Sequence, residues 1–472
     1  MGDMSTFGAL SEIKTRSRSM GVKLVVICLL ALLMTIPGWF VQSLVDERSK
    51  HAGDVTKQVS DEAGGQQTFL GPTLAIPYTI PATEPNRDPI EGVYLVFPAR
   101  AAASVASATQ QRKRGMIEVP VFEADLKLDG DFDLTGVPAA APQGAVLDWS
   151  RAEFVVGVSD PRGALGDGQL AIDGKSATLL PAKVLSDLKI GMDQQDQPLT
   201  LTLFGVKAGD DVKPNAQVKV TSASRFGGAQ RLAVLAYGQS THLVAQGDWR
   251  TPSFDGGFLP VHQQTSDAGF SAEWSVPYIA RGVLAEGSAD TMMRLGPTAL
   301  TVYFTQLVDP YHSVDRALKY ILLFEGLIFL TYFIFEATQG KRLHPAQYIL
   351  VGVAQIIFYL LLLSLAEHIG FDPAFLIAGA ATVLLLSVNA SWIFVSRLQG
   401  FRALVVFSLL YSLIYMLLRL EDNALLVGAI ASFMAIAAAM YFTRSVNWYS
   451  AVEPQRRDDG EQGSAIPKVT LS

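Results

Sequence analysis

Tyr348 to Leu365 is an uninterrupted run of eighteen uncharged, mostly apolar residues, long enough to cross a bilayer as a helix. Lys341 and Arg342 precede it, and Glu367 and His368 follow it. Basic flanks stay cytoplasmic, so the flanking charges give the span a direction. Arg342, His344, Gln347 and Tyr348 then lie at its cytoplasmic end, and Ser364, Glu367 and His368 at its far end.

Half of the 472 residues are hydrophobic and the mean hydropathy is +0.29, too apolar for an ordinary soluble protein. Similar runs predict further spans at Val22–Leu44, Leu318–Phe335, Ala374–Phe394, Ala403–Leu418 and Ala424–Phe442, making six with the first. Residues 1–21 are polar and basic, and the run at 22–44 lacks a small-residue cleavage site, as expected of an uncleaved signal anchor. Pro37-Gly38 within it is expected to bend the span. Lys341, Arg342, Arg397, Arg402, Arg444, Arg456 and Arg457 fall on one side, and Glu367, Asp372, Glu421 and Asp422 on the other. That pattern predicts cytoplasmic termini, a five-helix block over 316–443 and a polar, disordered tail over 444–472.

Residues 45–315 contain no run long enough to span. Short β-branched and aromatic stretches recur there between Gly, Pro and Asp: 73–80, 93–97, 117–128, 153–158, 199–204, 216–221, 242–245 and 298–304. This predicts an all-β domain of sandwich type, inserted on the periplasmic side, in one subdomain or two. Residues 46–67 are good helix formers, with Val45, Val55 and Val59 too sparse for a core face, and read as a helical stalk. Val119 to Leu128 alternates, and Asp129-Gly130 predicts a hairpin turn, which also accounts for the alternating Asp129, Asp131 and Asp133. The only cysteine, Cys28, excludes a disulfide within the chain. A net charge of −7 argues against a nucleic-acid partner.

Several stretches resemble the CreD family of bacterial inner-membrane proteins, also called the colicin-tolerance or cell-envelope-integrity family. They are Arg342-Leu-His-Pro-Ala-Gln-Tyr348 and Ser364-Leu-Ala-Glu-His-Ile-Gly-Phe371, and upstream Arg114-Gly-Met-Ile-Glu-Val-Pro-Val-Phe-Glu-Ala-Asp125, Gly157-Val-Ser-Asp-Pro-Arg-Gly163, Pro252-Ser-Phe-Asp-Gly-Gly-Phe-Leu-Pro260 and Gly269-Phe-Ser-Ala-Glu-Trp274. The resemblance runs from about Gly71 to Asn423. It implies a Gram-negative inner membrane, a large periplasmic domain, and a link to envelope maintenance and to β-lactam or colicin tolerance within an envelope stress response. It implies no catalytic residues.

The residues themselves suggest three readings. The first is a non-enzymatic membrane protein whose β domain binds an envelope component or a partner protein, with no cofactor; whether copies self-associate is left open. The second is a proton-coupled transporter or lipid-handling protein, in which Glu325, Gln355 and Asn389 line a path, since an ionisable group inside a span is a functional candidate by default. Against it, Glu325 paired with a polar neighbour would simply hold the bundle together, while Glu336 and Arg419 can snorkel to a surface. The third is a metal-dependent envelope hydrolase built on Ser364, Glu367 and His368, which share a helix face. His344 and His368 are 24 positions apart, about 36 Å along a helix, and cannot share a metal. A helix start capped at Pro345 explains His344 and Gln347 without a ligand.

Overall fold

Met20–Glu62 forms one helix, α1, unbroken through Pro37 and Gly38 in the computed structural model, which describes residues 20–82, 88–115, 117–192, 198–209, 212–304, 310–339, 343–419 and 424–444. Arg342, the N-terminal segment and the tail beyond Arg444 lie outside the described residues. The chain divides into a helical unit, residues 1–49 with 309–472, and a β unit, residues 50–308.

The helical unit contains α1 up to Ser49, α2 (Pro310–Lys319), α3 (Ile321–Gln339), α4 (Pro345–Ile369), α5 (Phe371–Phe394), α6 (Arg397–Arg419) and α7 (Ala424–Thr443). Five of these, α1 and α3 to α6, are long and apolar enough to cross a membrane. In α7, the sixth expected segment, the apolar stretch Leu426–Tyr441 is shorter. The second span was expected to open at Leu318. The helix instead turns at Tyr320, which leaves the polar α2 as a separate element and Glu325 just over one turn into α3. Gly38 has a packing role, because a Cβ there would sit 2.7 Å from Ile321 Cδ1.

Helix α5 ends on Val395 at φ 50°, whose N–H reaches the carbonyls of Ser391 and Trp392. A β-branched residue is strained in this left-handed conformation, which glycine adopts freely. Val395 is exposed, so Val395→Gly is expected to raise stability by about 1 kcal/mol, read as a higher unfolding midpoint in detergent.

Among the described residues the β unit holds two sheets. The first is eleven-stranded, centred on β1 (Gln67–Ile80), which pairs with β2 (Ile90–Val96), Glu153–Val158 and Arg231–Leu235. The second is eight-stranded, centred on β3 (Arg100–Arg114) and β4 (Ile117–Asp133), flanked by Ser240–Gly247 and Gln217–Ala229. One continuous core draws on both sheets, including Leu70, Leu203 and Leu232 from the first and Leu126, Leu243 and Trp274 from the second. The arrangement is a sandwich, and the β unit is one compact body.

The structure corrects three local expectations. Asp129-Gly130 does not turn; β4 continues to Asp133, because Gly130 is paired on both sides, with Ala101 and Val220. The hairpin closes instead near Gly115, at φ 65°, and Asp129, Asp131 and Asp133 alternate along one strand face. The second correction is β3 itself, which the sequence did not suggest, since alanine and glutamine favour helix over strand. In the third, the stalk has a packed face: Val59 is buried in a small cluster with Val119, Val121 and Ala229. These valines lie on the face of β4 opposite Phe122, Ala124 and Leu126, so the end of α1 covers part of that outer face.

At the strand Glu286–Ser288, which pairs with β2, Glu286 Oε2 is buried without a hydrogen bond among the described residues. Burial raises this carboxyl, and burial followed by the Glu286 charge pushes the Tyr94 hydroxyl up to about 12. A raised acid binds more protons folded than unfolded, so its contribution favours folding at low pH and is lost as pH rises through the ordinary value of 4.5 to the raised one. Glu286→Gln is therefore expected to raise the unfolding midpoint at pH 7, with the gain disappearing below pH 4.5.

Candidate functional site

Helices α3 and α4 carry most of the sequence-predicted residues. Helix α4 opens at His344-Pro345 because proline needs no N–H partner in a first turn, while His344 Nδ1 accepts the Ala346 N–H at 3.2 Å. Gly370, at φ 81°, ends it. The helices run antiparallel: Glu336, late in α3, meets Tyr348, early in α4, and Glu325, early in α3, lies against Gly352.

Glu325 is 2% exposed, and neither of its carboxylate oxygens has a hydrogen-bond partner among the described residues. The expected polar partner is not there. A Cβ at Gly352 would stand 2.7 Å from Glu325 Oε1 and 2.7 Å from Met34 Cγ, so glycine makes room for the carboxyl. One turn on, Gln355 Oε1 accepts the Tyr411 hydroxyl at 3.0 Å, while Gln355 Nε2 has no partner among the described residues. The buried Tyr359 hydroxyl has none either, and Tyr359 and Tyr411 both lie within Coulombic reach of Glu325. Aromatic edges close the surroundings: Tyr411 packs on Phe324 at 4.8 Å and on Phe358 at 5.0 Å. An ionised carboxylate here would be desolvated and uncompensated, which costs several kcal/mol. Asn389 is elsewhere, donating to the Tyr332 hydroxyl at 3.3 Å.

Glu336 was expected to snorkel; instead it is 1% exposed and ion-paired with Lys23 of α1. Its second oxygen accepts the Tyr348 hydroxyl at 3.1 Å, and Lys23 Nζ also donates to the Leu343 carbonyl at 2.7 Å. Sequence reasoning missed this cluster because each charge stands near the end of its own apolar run.

The far end of α4 is a surface network. Glu367 accepts the Tyr311 hydroxyl at 3.1 Å and lies 3.9 Å from Arg48 Nη1. Asp315 accepts Gln42 Nε2 at 2.7 Å and Lys319 Nζ at 2.8 Å. Burial alone would raise the Asp315 carboxyl, but these hydrogen bonds outweigh it and hold it below the ordinary value. His368 and Ser364 are exposed, and the His368 Nδ1 lies 2.8 Å from the Ser364 carbonyl. Among the described residues no group of three or more His, Cys, Asp or Glu side chains could hold a metal ion. Arg419, expected to snorkel to a surface, is exposed and pairs with Asp372. Gln347 is half-buried in the first turn of α4.

In the β unit, the outer face of β3 presents Ala102, Ser104 and Ala106 between taller neighbours. The result is an open depression of about 490 Å³, lined among others by Ser104, Ala106, Asp125, Lys127, Val244 and Gln246.

The family model for "Inner membrane protein CreD" matches residues 19–449. The chain belongs to the CreD family. It is 29% identical over 438 residues to the inner membrane protein CreD of Escherichia coli (strain K12), an alignment covering 91% of this chain and 94% of that protein. This CreD-family chain is thus a multi-pass inner-membrane protein with a large β-rich domain between its first helix and the rest.

Proposed function

We propose that this chain supports the integrity of the cell envelope, as a non-enzymatic protein whose β domain faces the periplasm and binds an envelope component or partner. Both termini are then cytoplasmic, in keeping with the basic residues beside the apolar runs. The observation that carries the reading is the depression on the second sheet. A sheet face is normally covered by packing or levelled by long polar side chains, whereas the small residues of β3 leave a trough between the charged residues of β4 and Gln246. Tolerance to β-lactams or colicins, and a place in an envelope stress response, follow from this role.

The test is complementation of a strain lacking its own CreD-family protein. Ala106→Arg fills the trough from an exposed position, so the variant is expected to insert at wild-type levels yet restore β-lactam or colicin tolerance at least tenfold less well. Full restoration by Ala106→Arg, and likewise by Ala223→Arg at another residue lining the trough, would overturn the proposal.

A further inference from the structure

We propose that Glu325 is a proton-binding site in exchange with the aqueous medium, set in the helical unit among Gly352, Gln355, Tyr359 and Tyr411. The inference is independent of the β domain and of what that domain binds.

Nine buried side-chain atoms have no hydrogen-bond partner among the described residues, and four of them lie in the helical unit: Glu325 Oε1, Glu325 Oε2, Gln355 Nε2 and Tyr359 Oη. All four belong to one neighbourhood. Unpaired buried polar atoms are costly and rare in native structures, so a cluster of them calls for a chemical explanation. A buried ionisable group inside a membrane bundle usually has a charged partner or a function.

Among the described residues no counter-ion supplies the compensation. The helices packed around Glu325 present Met34 from α1, Gly352, Gln355 and Tyr359 from α4, and Tyr411 from α6. The titratable groups among them are the two tyrosines, which are neutral at physiological pH. The Lys23 ammonium is committed to Glu336 and the Leu343 carbonyl. Thr382 of α5 is hydrogen-bonded to the Ala378 carbonyl at 2.9 Å. A bound metal ion fits poorly, since hard cations require six or more oxygens. Here the Gln355 oxygen already accepts from Tyr411, and its free end is a donor.

One proton meets the requirement. Taken from water, it converts the carboxylate to a neutral carboxylic acid, which needs no counter-ion in this desolvated setting. Returning it to water regenerates the carboxylate. Gly352 is the positioning residue, because any side chain there would collide with the carboxyl.

The experiment is infrared difference spectroscopy on the full-length protein in liposomes. At neutral pH the wild type is expected to show the carbonyl band of a protonated carboxylic acid, which shifts on transfer to D2O and is absent from Glu325→Gln but kept by Glu367→Gln. A spectrum without an acid band at neutral pH would overturn the proposal. So would a band that survives Glu325→Gln, that fails to shift in D2O, or that disappears on addition of sodium or calcium, which would mean that the carboxylate takes a cation instead. Should Glu325→Gln not insert, Tyr359→Phe provides the second reading. Loss of the neighbouring hydroxyl is expected to move the band without removing it, and an unmoved band contradicts the assignment.

Discussion

Replacing Lys23 with methionine is expected to cost the protein about 3–5 kcal/mol of stability, because it strands a buried charge. Glu336 is 1% exposed and would keep only the Tyr348 hydroxyl as a partner. The reverse change should be milder. With Glu336→Gln, the Lys23 ammonium, 17% exposed on its flexible stem, retains the Leu343 carbonyl and can extend toward water. Combining Lys23→Met with Glu336→Gln removes both charges and should recover most of the loss. Thermal unfolding in detergent, followed for the two single variants and the double, separates this account from simple repulsion or packing. If Lys23→Met were no more damaging than Glu336→Gln, the ion pair would not be what ties α1 to α3.

The second large effect is expected at Tyr237, which is fully buried between the sheets. Its ring fills the space left by the missing side chain of Gly71 in β1. Its hydroxyl lies 3.0 Å from the Ala102 carbonyl of β3 and 2.8 Å from the Asp129 carbonyl of β4. Tyr237→Ala therefore removes a large core side chain and its link to the second sheet, a loss of about 3–5 kcal/mol. Tyr237→Phe keeps the ring and leaves the carbonyls short of a donor, at about 1–2 kcal/mol. Gly71→Ala should mimic the larger change from the opposite side, since a Cβ there collides with the ring. Denaturant titration of the full-length protein would rank the three variants, and a Tyr237→Phe loss equal to that of Tyr237→Ala would show that the hydroxyl, not the packing, dominates.

Features written as a local period were legible in the sequence. The apolar runs of α4 and α5 and the strand Glu153–Val158 were read close to their ends, because hydropathy and β-branched clusters carry that information within a few residues. Features that depend on distant partners were not. Lys23 and Glu336 are 313 positions apart, so nothing near either residue announces the pair, and snorkelling was the natural reading of Glu336. Strand β3 is rich in alanine, serine and glutamine and has little β propensity of its own; it is a strand because β4 pairs with it along its length and Ser240–Gly247 pairs with its first half. Asp129-Gly130 has turn chemistry, yet two flanking strands hold it extended. Glu325 was legible as a candidate, since a carboxylate stands out in an apolar helix. Its lack of a partner was not, because that depends on what α1, α4 and α6 bring to it.

The small-residue face of the second sheet is proposed to bind an envelope component. A photoreactive amino acid placed at Ala106 of the full-length protein, and irradiated in living cells, tests it most directly. A discrete, light-dependent adduct is expected from Ala106 and not when the same group stands at the exposed Asp167 on the β unit. No adduct from Ala106, or the same adducts from both positions, would contradict it.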